Sequence, residues 1–241
     1  MSPRWAAAPV CEALLAYAIS PSVARPTKPQ KPPLAPRKVP RQKRALVTVD
    51  VILEATAHVL RTIGYDALTT NKVADAAGVS VGSLYQYFPG KDALVTALML
   101  RVFDRQRAAF LAALGDMAAA PIADVIEVVV ATLLETHAAD PRLSEVLMNQ
   151  VPRVGELAEV MAYNEEKIAK PLHAFLQARR DDLVVDDLRA ATFLLTHSIP
   201  PLLQRLTMSR PSPEQRRAIF RELNGMLVGY LTGQRKEGCR R

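Results

Sequence analysis

The sequence predicts an all-α fold, and three observations predict it. Apolar residues recur at spacings of three and four through almost every segment after residue 46. No segment alternates apolar and polar residues as a half-buried strand would. Ala, Leu and Val dominate, while glycine is sparse at 10 of 241 residues. The expected architecture is all-α: an N-terminal three-helix domain containing a helix-turn-helix, followed by a larger α-helical domain.

Residues 1–45 precede the helical pattern. A weak apolar run from Ala6 to Ile19 is broken by Pro9 and Glu12 and preceded by Arg4 alone, so an export signal is rejected. Residues 21–44 carry seven of the 18 prolines. Residues 1–44 hold nine Lys or Arg against one acid, leaving 22 basic and 23 acidic residues in the remainder. The net charge of +7 therefore belongs to a tail that cannot build a core, and the body is near neutral. Arg41, Lys43 and Arg44 at its end have the character of a basic arm for phosphates or the minor groove, with a role-free tail as the alternative.

The first helix is expected over 48–64, capped by Thr48, with Ile52, Thr56, Val59, Leu60 and Ile63 inward and Gly64 at its end. A helix-turn-helix follows at 69–88. Thr69 or Thr70 caps its first helix, on which Val73, Ala74 and Ala77 share one side. Gly78 suits a left-handed cap, and with Ala77 it lets the two helices approach closely. Ser80 caps the second helix, where Leu84 and Phe88 point inward at a spacing of four. Val81, Gly82, Ser83, Tyr85, Gln86 and Tyr87 are left outward or sideways. Such a second helix enters the major groove. Gly82 costs its helix up to about 1 kcal/mol against alanine, so something other than stability favours it. Pro89-Gly90 ends the unit, and a linking helix starts near Lys91.

Residues 46 to about 106 resemble the DNA-binding domain of the tetracycline-repressor (TetR) family. The string that carries the resemblance runs through Gly64-Tyr65, Leu68-Thr69-Thr70, Val73-Ala74, Ala77-Gly78-Val79-Ser80, Gly82, Leu84-Tyr85, Tyr87-Phe88, Lys91 and Leu94. The resemblance implies DNA contacts at or near Thr70, Asn71, Lys72, Val81, Gly82, Ser83, Tyr85, Gln86, Tyr87 and Lys91. Thr70, Tyr85 and Lys91 would bond phosphates; Gln86 and Tyr87 would reach base edges. Lys72 departs from the acid that many relatives carry there, which would complete a capping box with Thr69.

From about 107 to 234 each apolar stripe is again helical: Ile122 to His137, a helix opening at Pro141, one over about 152–178 containing Pro171, one begun by Asp186 or Asp187, and a last one opened by the capping box Ser212-Pro213-Glu214-Gln215. Pro200-Pro201 is expected to bend or interrupt the fourth of these. A basic tail fills 235–241. Candidate pocket residues are Phe110, Met117, Met148, Met161, Tyr163, Phe175, Phe193 and His197. A cavity lined by them would suit an apolar or aromatic effector. The resemblance also implies a two-helix dimer face, for which Ala191, Leu194, Leu195, Phe220, Leu223, Leu227, Tyr230 and Leu231 are the candidates.

Chemistry of other kinds is excluded by what the residues lack. There is no nucleophile elbow, glycine-rich phosphate loop, His-x-x-x-His or zinc-spaced cysteine pair, so neither catalysis, a metal nor a cofactor is expected. Cys11 and Cys239 read as unpaired thiols in a reducing compartment, and no run of about 18 apolar residues crosses a membrane. The expected protein is a cytoplasmic homodimer on a palindromic operator in double-stranded DNA, a repressor released by a small molecule. A same-fold activator, or a regulator answering to a protein partner or to no ligand, stays open as the second reading.

Overall fold

A computed structural model describes residues 43–234, and within them the chain is helical throughout, with no strand among the described residues. The terminal tails, both cysteines and the basic-arm reading of residues 37–44 lie largely outside that range; of Lys43 and Arg44 only the backbone is described. Among the described residues nine α-helices follow one another: α1 (Lys43–Ile63), α2 (Thr70–Ala77), α3 (Val81–Tyr87), α4 (Lys91–Asp116), α5 (Ile122–Ala138), α6 (Pro141–Asn149), α7 (Gly155–Ala178), α8 (Leu188–Ser209) and α9 (Pro213–Thr232).

Local chemistry sets most boundaries. Asp140 caps α6, its Oδ1 accepting from Leu143 N–H at 3.0 Å, with Pro141 in the first turn. Asp187, not Asp186, caps α8 through the amides of Arg189 and Ala190. The capping box of α9 forms in both directions, at 3.2 Å and 3.0 Å. Two boundaries differ from expectation. α1 begins at Lys43, so Thr48 lies inside the helix rather than capping it. Its inward stripe is Ile52, Thr56, Val59 and Leu60, whereas Ile63 is 40% exposed because it sits at the helix end. α8 continues through Pro200 and Pro201 without interruption. Burial of Thr196, Ile199, Leu203 and Leu206 along one side holds the segment helical despite the lost N–H donors.

Three apolar clusters form the interior. The first joins α1–α4 to α6 and the start of α7, through residues such as Leu60, Leu84, Phe88, Leu98, Leu147 and Val160. The expected division at residue 106 falls inside α4, and this core extends beyond it. The second packs α5, α8 and α9 around Val130, Ala191, Leu203 and Leu227. The third, around Phe110, Leu114 and Val125, lies between α4, α5 and α7.

Candidate nucleic-acid interface and effector cavity

The helix-turn-helix is held by three caps and two anchors. The Thr69 hydroxyl accepts from Lys72 N–H at 3.3 Å. Gly78 adopts φ 64°, the left-handed conformation that favours glycine. An added β-carbon there would meet nothing within 4 Å, so the backbone, and not close helix approach, requires this glycine. Ser80 accepts from Ser83 N–H at 3.1 Å, and the two hydroxyls lie 2.8 Å apart. Beneath α3, Leu84 is fully buried and Phe88 almost so. Their burial fixes the roll of α3, and thereby which residues face outward.

Val81, Gly82, Tyr85 and Gln86 are exposed; Ser83 and Tyr87 are half-buried. Tyr87 packs against the first core, so it supports α3 as well as bordering its outer face. Asn71 and Lys72 are exposed at the start of α2, Lys72 bonding the Ala67 carbonyl at 3.0 Å. Thr70 and Tyr85 meet through their hydroxyls at 3.2 Å, which brings the two predicted phosphate contacts together. An alanine β-carbon at Gly82 would find no protein atom nearer than 4.0 Å. The protein itself leaves room for a side chain there. Gly82→Ala is therefore expected to raise thermal stability, by up to about 1 kcal/mol, while weakening operator binding. Stability and affinity changing with the same sign would contradict a role for Gly82 at DNA.

Sequence reading missed the residue that ties this unit to the remainder. Tyr65 is buried, and its backbone N–H donates to Gln150 Oε1 at 3.1 Å. Its hydroxyl donates to Asp92 Oδ1 at 3.0 Å, and Lys91 Nζ sits 3.9 Å above its ring. Burial and the Asp92 carboxylate push its pKa up to about 12, so it stays a donor. Gln150 caps the end of α6. At the other end Asp140 pairs with Arg61 at 2.8 Å, and Arg142 Nε reaches the Arg61 carbonyl at 3.3 Å. Both ends of α6 thus grip the end of α1. These partners are 79 to 85 residues apart, which no local pattern reveals.

The inner side of α6 contributes Ser144, Leu147 and Met148 to a cavity of about 310 Å³. Its other walls come from α4, α5, α7, α8 and α9. Of the expected lining, Phe110, Met148, Met161, Phe175 and His197 are there. Three are not. Met117 ends α4 and packs on the third cluster, Tyr163 lies under Lys167, and Phe193 is 51% exposed, stacked on His197 at 4.2 Å. Tyr163 sits on a different helical phase from the α7 wall residues, Met117 lies past the end of α4, and Phe193 lies a turn before His197 at an exposed position. His137 lines the cavity as well.

The expected dimer residues divide in the same manner. Ala191, Leu223, Leu227 and Leu231 are buried in the protomer's own second cluster and are not available to a partner. Leu195 and Phe220 pack partly against it. Leu194 and Tyr230 are exposed, at 48% and 39%, and share the surface with Phe193, Leu202, Ile219 and Met226. The spacing of 219, 226 and 230 would have found this outer stripe.

Comparison with known proteins agrees with the geometry. Residues 52–98 match the family profile for bacterial regulatory proteins of the tetR family, and residues 121–231 match that for the tetracyclin repressor-like C-terminal domain. A stretch of 54 residues is 44% identical to the HTH-type transcriptional repressor KstR of Mycobacterium tuberculosis, covering 22% of this chain and 24% of that one. The chain thus matches about a quarter of the length of its curated relatives. Among solved structures, the fatty acid degradation regulator FadR from Bacillus halodurans superposes with a TM-score of 0.64 at 19% identity, over 76% of this chain and 95% of that one. A TetR-family transcriptional regulator from Streptomyces coelicolor gives 0.57 at 24% identity, over 77% and 98%. With matching profiles at both its DNA-binding and C-terminal regions, and with this all-helical fold, the chain belongs to the TetR family of transcriptional regulators.

Proposed function

We propose that the protein is a homodimeric repressor that binds a palindromic operator and leaves it when a small molecule fills the cavity. The observation that carries the reading is the continuity of α6. One helix lines the cavity with Ser144, Leu147 and Met148 and holds the DNA-binding unit through Asp140, Arg142 and Gln150.

At DNA, Gln86 and Tyr87 of α3 would reach base edges, with Val81, Gly82 and Ser83 against the groove. Thr70, Tyr85 and Lys91 would bond phosphates, with Asn71 and Lys72 beside them. Lys91 and Asp92 both contact Tyr65, and Tyr65 bonds Gln150, so a shift of α6 reaches the start of α4 and the aim of α3. A ligand that repositions α6 would change the spacing of two recognition helices, set at roughly 34–36 Å for half-sites one turn apart. Coupling of this type amounts to about 1–3 kcal/mol. The similarity to the repressor KstR supports repression. The test is operator release, read by fluorescence anisotropy, on addition of a ligand shown to bind the cavity. Unchanged anisotropy with the ligand bound would refute release.

Dimerisation would use the outer stripe of α8 and α9. Met226 is 57% exposed, so Met226→Glu leaves the protomer core alone. The variant is expected to elute as a folded monomer where the wild type elutes as a dimer, and to lose operator binding. A charge in an apolar interface costs several kcal/mol. A persisting dimer would place the interface elsewhere.

A further inference from the structure

The cavity has a polar level between two apolar stretches, and the helices fix where it lies. α4 and α7 both begin in the first core, through Phe103 and through Val160, and both run on into the third, through Phe110 and through Ile168. Gln106 falls between the two on α4, and Asn164 between the two on α7; both line the cavity. α5 runs the opposite way. Leu133 packs on the third core, and His137 one turn later is carried toward this polar level.

The polar groups are uncharged and rich in acceptors. Asn164 Oδ1 is fully buried and makes no hydrogen bond. His137 Nδ1 lies 2.7 Å from the Leu133 carbonyl, so it is the protonated nitrogen and Nε2 is left as an acceptor. Burial holds that imidazole below its usual pKa, in the neutral form. The backbone leaves one acceptor without its intrahelical donor. Residues 200 and 201 are prolines, so the His197 carbonyl has no N–H three or four residues on. His197, Pro200 and Pro201 all line the cavity. The two fully charged lining residues, Arg153 and Glu165, are exposed, and Glu165 lies 3.6 Å from His197.

An ion drawn into this space would lose its water without gaining a buried counter-charge. A neutral donor would instead give Asn164 Oδ1 the partner it lacks, whose absence costs about 1–3 kcal/mol. We infer that the effector is an uncharged, mainly apolar molecule bearing a hydroxyl-type donor, and that Asn164 sets that preference. This rests on the cavity being the effector site proposed above.

The test uses the full chain at pH 8 with N-phenyl-1-naphthylamine, a neutral apolar dye with one N–H, as the bound reporter. Competitors are 1-dodecanol, methyl dodecanoate, dodecanoate and dodecylammonium. The alcohol is expected to displace the dye at roughly tenfold lower concentration than the ester, which lacks the donor, and than either ion. In Asn164→Leu the advantage of the alcohol over the ester should shrink to about twofold while the ester still binds. Asn164→Ala should do the same without added bulk. Either ion matching the alcohol, or the preference surviving both substitutions, overturns the inference and leaves the cavity as effector site standing. The expected preference with no change in operator affinity would support this inference and count against release alone. Failure of the dye to bind at all overturns both.

Discussion

Gly64→Ala is expected to destabilise the protein by about 2–3 kcal/mol, lowering the melting temperature by roughly 5–10 °C for a body of this size. Two effects add. Gly64 stands at φ 76°, where an L-residue costs about 1–2 kcal/mol. An added β-carbon would also come within 2.5 Å of Gln150 Oε1. The glutamine side chain is flexible and would swing away, but only by releasing the buried N–H of Tyr65 that it now accepts from. That lost bond contributes about 1 kcal/mol more. Gln150→Ala, which removes the bond and leaves the backbone relaxed, should show only this smaller part. Thermal melts of the two variants separate the contributions. A Gly64→Ala protein as stable as the wild type would mean that α6 does not clamp the end of α1.

Gln86→Ala is expected to weaken operator binding by about 1–3 kcal/mol, or roughly 5- to 150-fold, with the fold intact. Gln86 is exposed, so its removal should change stability by no more than about 0.5 kcal/mol. The loss should appear on the specific site and not on random duplex, because an amide reads base edges while cations hold phosphates. Gln86 is a cleaner probe than Tyr87, whose ring packs against the first core and would take stability with it. Titrations against matched specific and scrambled duplexes check the prediction. Equal losses on both would move Gln86 from base reading to a general role.

The helix-turn-helix was legible because its determinants are local. Thr69, Gly78, Ser80, Leu84 and Phe88 act within a few residues of themselves, and the caps and buried pair form as their spacing requires. The C-terminal half was legible as helices but not as surfaces. An apolar stripe does not state whether it faces its own core, a cavity or a partner. Leu223 and Leu227 face inward, whereas Met226 beside them faces out, and only packing decides between the phases. Tyr65, Gln150 and Asp140 were hidden for a different reason. Their meaning lies in contacts across 79 or more residues, and each alone reads as an ordinary polar side chain. The Pro200-Pro201 pair shows tertiary burial overriding a local signal, since it sits inside a helix that buried neighbours hold together.

The central claim is that α3 is presented for a duplex by a two-fold dimer. Selection by the full chain from random double-stranded DNA tests it most directly. The account predicts enrichment of an inverted repeat whose half-sites lie about 10 base pairs apart, or a multiple of that, and its loss with Gln86→Ala. Recovery of no motif at low salt from a folded, dimeric sample would contradict the claim.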